Sequence, residues 1–186
     1  MLYILQLNMK KYIISVVNFF FENLSEITTK LYTFDSKEDA QEYIEKEIDK
    51  FKNDVAMSYY KNGTLMYPEV VKKDNKIIVT IDDFYFYCYF LKEVESTNKY
   101  VASNVHFIFS DLNDINLELV QHQTRNDLDK YLDEFVEKMK HKTCFGYYGQ
   151  ISFPQIKRNS AKISVHMTWE YYLVMPHVYF NGKFLS

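Results

Sequence analysis

The sequence predicts an α+β protein with antiparallel sheets, built as a tandem duplication of a strand–strand–helix–strand–strand (ββαββ) unit with one helix per unit. Three observations predict this class: β-branched and aromatic runs joined by short turns, one amphipathic helical stretch in each half, and a match between the halves. Of 186 residues, 47% are hydrophobic and 18% aromatic, but only 4 are Gly and 3 are Pro. This composition favours long strands and excludes intrinsic disorder.

Self-alignment of the chain gives its predicted organisation. Residues 11–60 match residues 99–148 without a gap, with 15 of the 50 positions identical. After a two-residue deletion the match resumes between residues 67–87 and 153–173, where it aligns Tyr85 with Tyr171. The predicted organisation is therefore an N-terminal extension (1–10), a first unit (11–94) and a second unit (99–186). Because one unit would bury little apolar surface alone, we expect both to pack as one compact body with a pseudo-two-fold axis.

Each unit begins with two strands and a helix. Residues 11–22 are rich in β-branched and aromatic side chains, and a turn at 22–25 leads into a second strand over 26–34. Ser36 with Asp39, and Thr124 with Asp127, have the spacing of a helix N-terminal cap. The spacing predicts helices near 36–53 and 124–141.

The helices carry an apolar stripe that includes Tyr43 and Tyr131, which we interpret as core positions. A hairpin follows each helix, with turns at 72–75 and 158–161. Its second arm reaches Asp82-Asp83, where it either bends or continues into the aromatic stretch 84–91.

Composition and charge exclude several classes of function. The chain has 22 basic and 25 acidic residues and a formal net charge of -3, which disfavours non-specific nucleic-acid binding. No apolar run reaches the length of a membrane span, and the apolar N-terminal run has an internal counterpart at 99–109. Cys88 and Cys144 lack metal-ligand spacing and indicate buried thiols in a reducing, cytoplasmic compartment. We expect no metal and no cofactor.

Motifs for catalysis are missing from the sequence. It contains no nucleophile elbow, phosphate-binding loop or dinucleotide fingerprint, so we expect a non-enzymatic protein. All five histidines lie in the second unit: His106, His122, His141, His166 and His177. The first, second and fourth fall on predicted strands that could be adjacent, so a histidine-based enzyme is one alternative. In the competing interpretation, they are independent surface or half-buried histidines.

The aromatic stretch 84–90 (FYFYCYF) is the most unusual feature of the chain. Because side chains alternate between the faces of a strand, Phe84, Phe86 and Phe90 share one face and the tyrosines share the other. With the phenylalanines in the core, the tyrosines form an exposed ridge of the kind found in recognition surfaces. The predicted partner-binding residues are Tyr85, Tyr87, Tyr89, Trp169 and Tyr171. In the competing interpretation, a helix or sheet covers this face.

These observations predict a binding protein that contacts another protein. An inhibitor of a host nuclease or an immunity-type protein, carried by a phage or mobile element, fits this description. The alternative is a nucleic-acid-binding module that uses the aromatic and basic face of the second unit. Its predicted basic patch consists of Lys138, Lys140, Lys142, Lys157 and Arg158.

Overall fold

The computed structural model describes residues 10–20, 27–53, 58–73, 76–81, 85–94, 98–109, 111–145, 148–180 and 182–185, without the side chains of 19, 20, 53, 85 and 111–113. The chain divides into two compact units, Met1–Thr97 and Asn98–Ser186. Neither helix in these described ranges is long and apolar enough to cross a membrane. Three predicted features lie outside the described residues: nearly all of the N-terminal extension, the turn at 22–25 and the Asp82-Asp83 bend.

The first unit is a five-stranded antiparallel sheet with a helix on one face. Its elements in chain order are β1 (Lys11–Phe20), β2 (Thr28–Phe34), α1 (Lys37–Asn53), β3 (Tyr59–Lys61), β4 (Thr64–Met66), β5 (Glu69–Lys73), β6 (Lys76–Ile81) and β7 (Tyr85–Val94). The strand order is β2-β1-β7-β6-β5, and β3 and β4 form a separate hairpin. The aromatic strand β7 is therefore central, paired with β1 on one side and β6 on the other.

The second unit has a six-stranded antiparallel sheet and one helix. Its elements are β8 (Tyr100–Ile108), β9 (Asp111–His122), α2 (Arg125–Lys140), β10 (Cys144–Phe145), β11 (Ile151–Ser152), β12 (Gln155–Arg158), β13 (Ile163–His166), β14 (Glu170–Phe180) and β15 (Lys183–Leu185). The order is β12-β13-β14-β8-β9, with β15 paired to the end of β14 and β10–β11 forming a separate hairpin.

The predicted α+β class, with antiparallel sheets and two helices in the described part of the chain, is confirmed. The ββαββ description of the unit is wrong in one respect. After each helix come a short hairpin and then three sheet strands, with β15 as a fourth in the second unit, because the aromatic stretch is a strand of its own that runs back antiparallel to β6 or β13. This third strand completes the centre of each sheet.

Both helices begin at the predicted caps. The Ser36 Oγ accepts a hydrogen bond from the Asp39 backbone N–H at 3.0 Å. Thr124 and Asp127 form a reciprocal capping box at the start of α2. The buried stripe of each helix then packs on its own sheet, and Tyr43 and Tyr131 pack half-buried against these clusters. Capping and the apolar stripe together explain why these segments are helical.

Strand register corrects the sequence alignment of the aromatic strands. Asn18 on β1 lies opposite Tyr87, and His106 on β8 lies opposite Tyr172. Since Asn18 aligns with His106, the position equivalent to Tyr87 is Tyr172. The alignment of Tyr85 with Tyr171 is thus displaced by one residue. A shift of one residue moves a side chain to the other face of the sheet, so this correction changes which residues face the helix.

Candidate functional site

The predicted tyrosine ridge of the first unit is not an exposed surface. Tyr89 is only 2% exposed and belongs to the core cluster under α1, and Tyr87 packs half-buried against the same cluster. Phe86 and Phe90, on the opposite face of the strand, are buried as well. The prediction of an exposed face is therefore wrong for Tyr89, because the apolar stripe of α1 covers that side of the sheet. The side chain of Tyr85 lies outside the described residues.

The two predicted contact residues of the second unit differ in their exposure to solvent. Tyr171 is buried, with its ring 5.2 Å from the ring of Phe107, so its predicted place in an exposed surface is also wrong. Trp169, just before β14, remains exposed. Tyr171 lies within β14 on the side of the sheet away from α2, because its neighbour Tyr172 packs against the core under α2, whereas Trp169 lies in the bend that precedes the strand.

The predicted basic patch is largely neutralised by ion pairs. Lys140 pairs with Glu137, Arg158 pairs with Asp133 at 2.5 Å, and Lys142 pairs with Glu170 at 2.9 Å. The two other members, Lys138 and Lys157, are exposed. A surface whose cations are paired with carboxylates attracts phosphate weakly, which removes much of the support for nucleic-acid binding.

The three histidines on predicted strands that could be adjacent are spread over the second unit's sheet. His122 lies at the far end of β9 beside Tyr131, His166 lies exposed on β13, and β14 separates β13 from β8. His106 on β8 stacks on the Tyr172 ring, with centroids 4.2 Å apart. In the described part of the chain, no group of three His, Cys, Asp or Glu side chains is arranged to hold a metal ion.

His106 belongs to a compact polar network at the start of β14. Its Nε2 lies 3.2 Å from the Oε2 of Glu170, to which the Tyr172 hydroxyl also donates at 2.5 Å. The Nζ of Lys142 donates to the same oxygen at 2.9 Å and to the Tyr172 hydroxyl at 2.6 Å. Burial raises the pKa of Glu170, but the hydrogen bonds from Tyr172 and Lys142 outweigh it, so the pKa is lowered. The network ties Lys142, which follows α2, to β14.

A second polar contact involves Cys144, two residues after Lys142, at the start of the β10–β11 hairpin. The Cys144 Sγ is 2.9 Å from the Ser152 Oγ, which is 3.1 Å from the Thr168 Oγ1. Burial raises the pKa of the Cys144 thiol, yet hydrogen bonds to Ser152 and Thr168 outweigh burial and hold the pKa below its usual value. Together with Lys142, these side chains fix one face of the hairpin to the chain just before β14.

The other face of the same hairpin is apolar and open to solvent. Phe145 and Ile151 lie directly opposite each other across the two strands and are 67% and 64% exposed. Phe153 and Tyr148 are exposed beside them. Because Cys144 and Ser152 form the neighbouring cross-strand pair, they point to the anchored side, and Phe145 and Ile151 necessarily point away from it.

The first unit carries a hairpin of the same kind after its helix. In β3–β4, Tyr60 lies opposite Leu65, and both side chains are exposed. Met66 and Tyr67 extend this exposed apolar surface. Asn62 and Gly63 form its turn with positive φ angles of 51° and 80°, a conformation that suits a tight two-residue hairpin turn.

Sequence reasoning missed these hairpins, although a signal for one of them is present. Residues 143–156 (TCFGYYGQISFPQI) contain no charged residue, in a chain in which 25% of residues are charged. An uncharged aromatic stretch outside the main sheet indicates a surface that is either buried by a partner or exposed for one. Comparisons with protein-family models, with curated proteins and with solved structures gave no match.

Proposed function

We propose that this chain is a non-enzymatic binding protein that acts through contact with another protein, and that the β10–β11 hairpin makes the contact. One observation carries the proposal: the directly opposed pair Phe145 and Ile151 is solvent-exposed on a hairpin that is anchored on its other side. An inhibitor or immunity-type protein would act in this way, by occupying the surface of its target.

The anchoring supports a role in binding because it reduces the entropy that is lost on association. Side chains on a hairpin fixed by the contacts of Lys142 with Glu170 and of Ser152 with Thr168 lose less freedom than those on an untethered loop. A few central side chains account for most of the affinity of an interface, and truncation of such a residue costs about 2 kcal/mol or more. The hairpin therefore combines a fixed backbone with side chains of the type that dominates protein interfaces.

The chemistry of the hairpin favours a protein over a nucleic acid. Residues 143–156 offer no cation to phosphate, and three members of the basic patch nearby are already paired with carboxylates. A cleft of about 170 Å³ beside the hairpin is lined by Phe153, His166 and Met167 among others. Its size suits one apolar side chain of a protein partner.

We also propose that the two units arose by tandem duplication. This origin is supported by the same strand order in both sheets, by the paired helix caps, and by the equal register of the first two strands of each unit, which pairs Asn18 with Thr28 and His106 with Asn116. An exposed hairpin after each helix is then an inherited feature, although the opposed pairs are not equivalent residues, since Tyr60 aligns with Tyr148 and not with Phe145. The pseudo-two-fold arrangement stays a prediction.

A capture experiment with matched variants tests the proposed contact. Immobilised wild-type protein is compared with a Phe145→Ser/Ile151→Ser variant and with Phe180→Ser, since Phe180 is similarly exposed but lies at the end of β14. Thermal unfolding verifies that all three are folded. We expect the wild type and Phe180→Ser to capture the same protein from nuclease-treated host lysate, and the hairpin variant to lose it. Equal capture by the hairpin variant would contradict the assignment of the contact.

A further inference from the structure

A cavity of about 300 Å³ lies between α1 and the sheet of the first unit. Two rows of cross-strand neighbours form its floor: Lys30, Val16 and Tyr89 in one row, and Thr28, Asn18 and Tyr87 in the next. Above the floor lies Glu47, one helical turn from both Tyr43 and Phe51. The cavity is twice the size of an apolar cavity of about 150 Å³ that holds benzene.

Aromatic rings bound the cavity on two sides. The rings of Tyr32 and Tyr43 lie 5.1 Å apart, and those of Phe51 and Tyr87 lie 4.8 Å apart. The buried Tyr89 contributes a further ring to the floor. The walls therefore combine π faces with phenol oxygens, which are both electron-rich surfaces.

The charge distribution within the cavity is uneven. The Glu47 side chain is 25% exposed, whereas the side chain of its ion-pair partner Lys50 is 68% exposed. Lys30 is exposed at the edge strand β2. Burial raises the pKa of Tyr43 and of Tyr89, and the negative charge of Glu47 raises both further. The lining therefore contains one carboxylate close to the tyrosine hydroxyl groups, together with two lysine side chains that are more exposed to solvent than Glu47.

We propose that this cavity binds a small organic cation, held by the faces of the tyrosine rings and by the Glu47 carboxylate. A cation over aromatic faces is attracted by the quadrupole of the rings, most strongly where water is excluded. A quaternary ammonium ion of the size of choline fits the volume. This ligand site is separate from the proposed protein contact, which lies in the second unit.

In the second unit, a buried aromatic side chain occupies the position that is equivalent to Glu47. Glu47 aligns with Phe135 of α2, which is 7% exposed and belongs to the core of that unit. Its ring centroid lies 6.4 Å from that of Tyr172, the equivalent of Tyr87. A phenyl group therefore packs on the sheet at the place where the first unit has a carboxylate over a cavity. The substitution Glu47→Phe copies this arrangement into the first unit.

Isothermal titration calorimetry of the full chain with three probes tests the proposal: choline, its uncharged analogue 3,3-dimethylbutan-1-ol, and benzoate. We expect choline to bind about tenfold more tightly than the alcohol, and benzoate not to bind. Glu47→Gln should weaken choline about tenfold, and Glu47→Phe should abolish its binding. Glu42→Gln is the matched control, because Glu42 forms a similar pair with Lys46 on the exposed side of α1. It should bind choline as the wild type does.

Equal affinity for choline and the alcohol, a preference for benzoate, or no heat from choline at about 10 mM would each overturn the proposal. An equal loss of choline binding in Glu42→Gln and Glu47→Gln would do the same, because it would show a general charge effect. The comparison of the three probes on the wild-type protein needs no variant, so it decides the question even if a substitution at Glu47 prevents folding.

Discussion

Protonation of His177 should destabilise the second unit, because this imidazole is fully buried on β14. The hydroxyl of Ser103, itself fully buried, lies 2.8 Å from the His177 Nε2 and also donates to the Met175 carbonyl at 3.4 Å. Burial lowers the pKa of His177 to about 4, from an ordinary value of 6.5. The neutral imidazole is therefore part of the folded structure, and the imidazolium is compatible mainly with the unfolded chain.

The sign and size of the effect follow from this difference in pKa. Since the pKa is lower in the folded state, the unfolded chain binds more protons between about pH 6.5 and 4, and stability falls as the pH falls through that window. The neutral His177 imidazole therefore makes its full contribution to the free energy of unfolding above about pH 6.5. At about 1.4 kcal/mol for each pH unit, the total loss is about 3 kcal/mol, of which about 2 kcal/mol falls between pH 7.5 and 5.

Urea unfolding at pH 7.5 and pH 5 measures this loss. The wild type and His141→Gln, which alters an exposed histidine at the C-terminal cap of α2, should show the same dependence on pH. In His177→Gln the loss between the two pH values should be smaller by about 2 kcal/mol. Titration of the His177 imidazole by NMR checks the cause directly. A pKa near 6.5, or identical pH dependence in all three proteins, would refute the reasoning.

Three further predictions concern local features. Iodoacetamide should alkylate native Cys144 much faster than Cys88, because burial raises the pKa of Cys88 to about 12 whereas the pKa of Cys144 is lowered. Mass spectrometry after timed quenching measures both rates, and equal rates would contradict this prediction. Thr124→Ala should lower the free energy of unfolding by about 1 kcal/mol through loss of the capping box, with no change under urea as the contrary result. Tyr131→Ala should lower the free energy of unfolding by about 1–3 kcal/mol, since the ring packs half-buried on the core. A loss below about 0.5 kcal/mol would show that the ring contributes little to stability.

The helices and the sheet class could be predicted because local signals determine them. The spacing from Thr124 to Asp127 and the apolar stripe beyond it define α2 without tertiary information. Strand segments are equally visible, since β-branched and aromatic runs alternate with turns. What these signals leave open is the partner of each strand. The central position of β7 depends on its pairing with β1, far away in sequence.

The candidate contact could not be predicted from the tyrosine pattern, because alternation assigns residues to faces but does not say which face a helix covers. Tyr89 and Phe90 point in opposite directions and are both buried. The exposed pair Phe145 and Ile151 depends on a two-residue strand pairing that periodicity does not reveal. Its orientation also depends on the contact between Ser152 and Thr168, which exists only in the folded unit.

Site-specific photo-crosslinking from the β10–β11 hairpin tests the central claim most directly. A photoreactive phenylalanine analogue, p-benzoylphenylalanine, replaces Phe145 in one sample and Phe180 in a second, and both are irradiated in host lysate. We predict that the Phe145 sample forms one discrete covalent adduct with another protein, sensitive to protease and resistant to nuclease, and that the Phe180 sample does not. The absence of an adduct at position 145, equal crosslinking from both positions, or an adduct with nucleic acid would contradict the account.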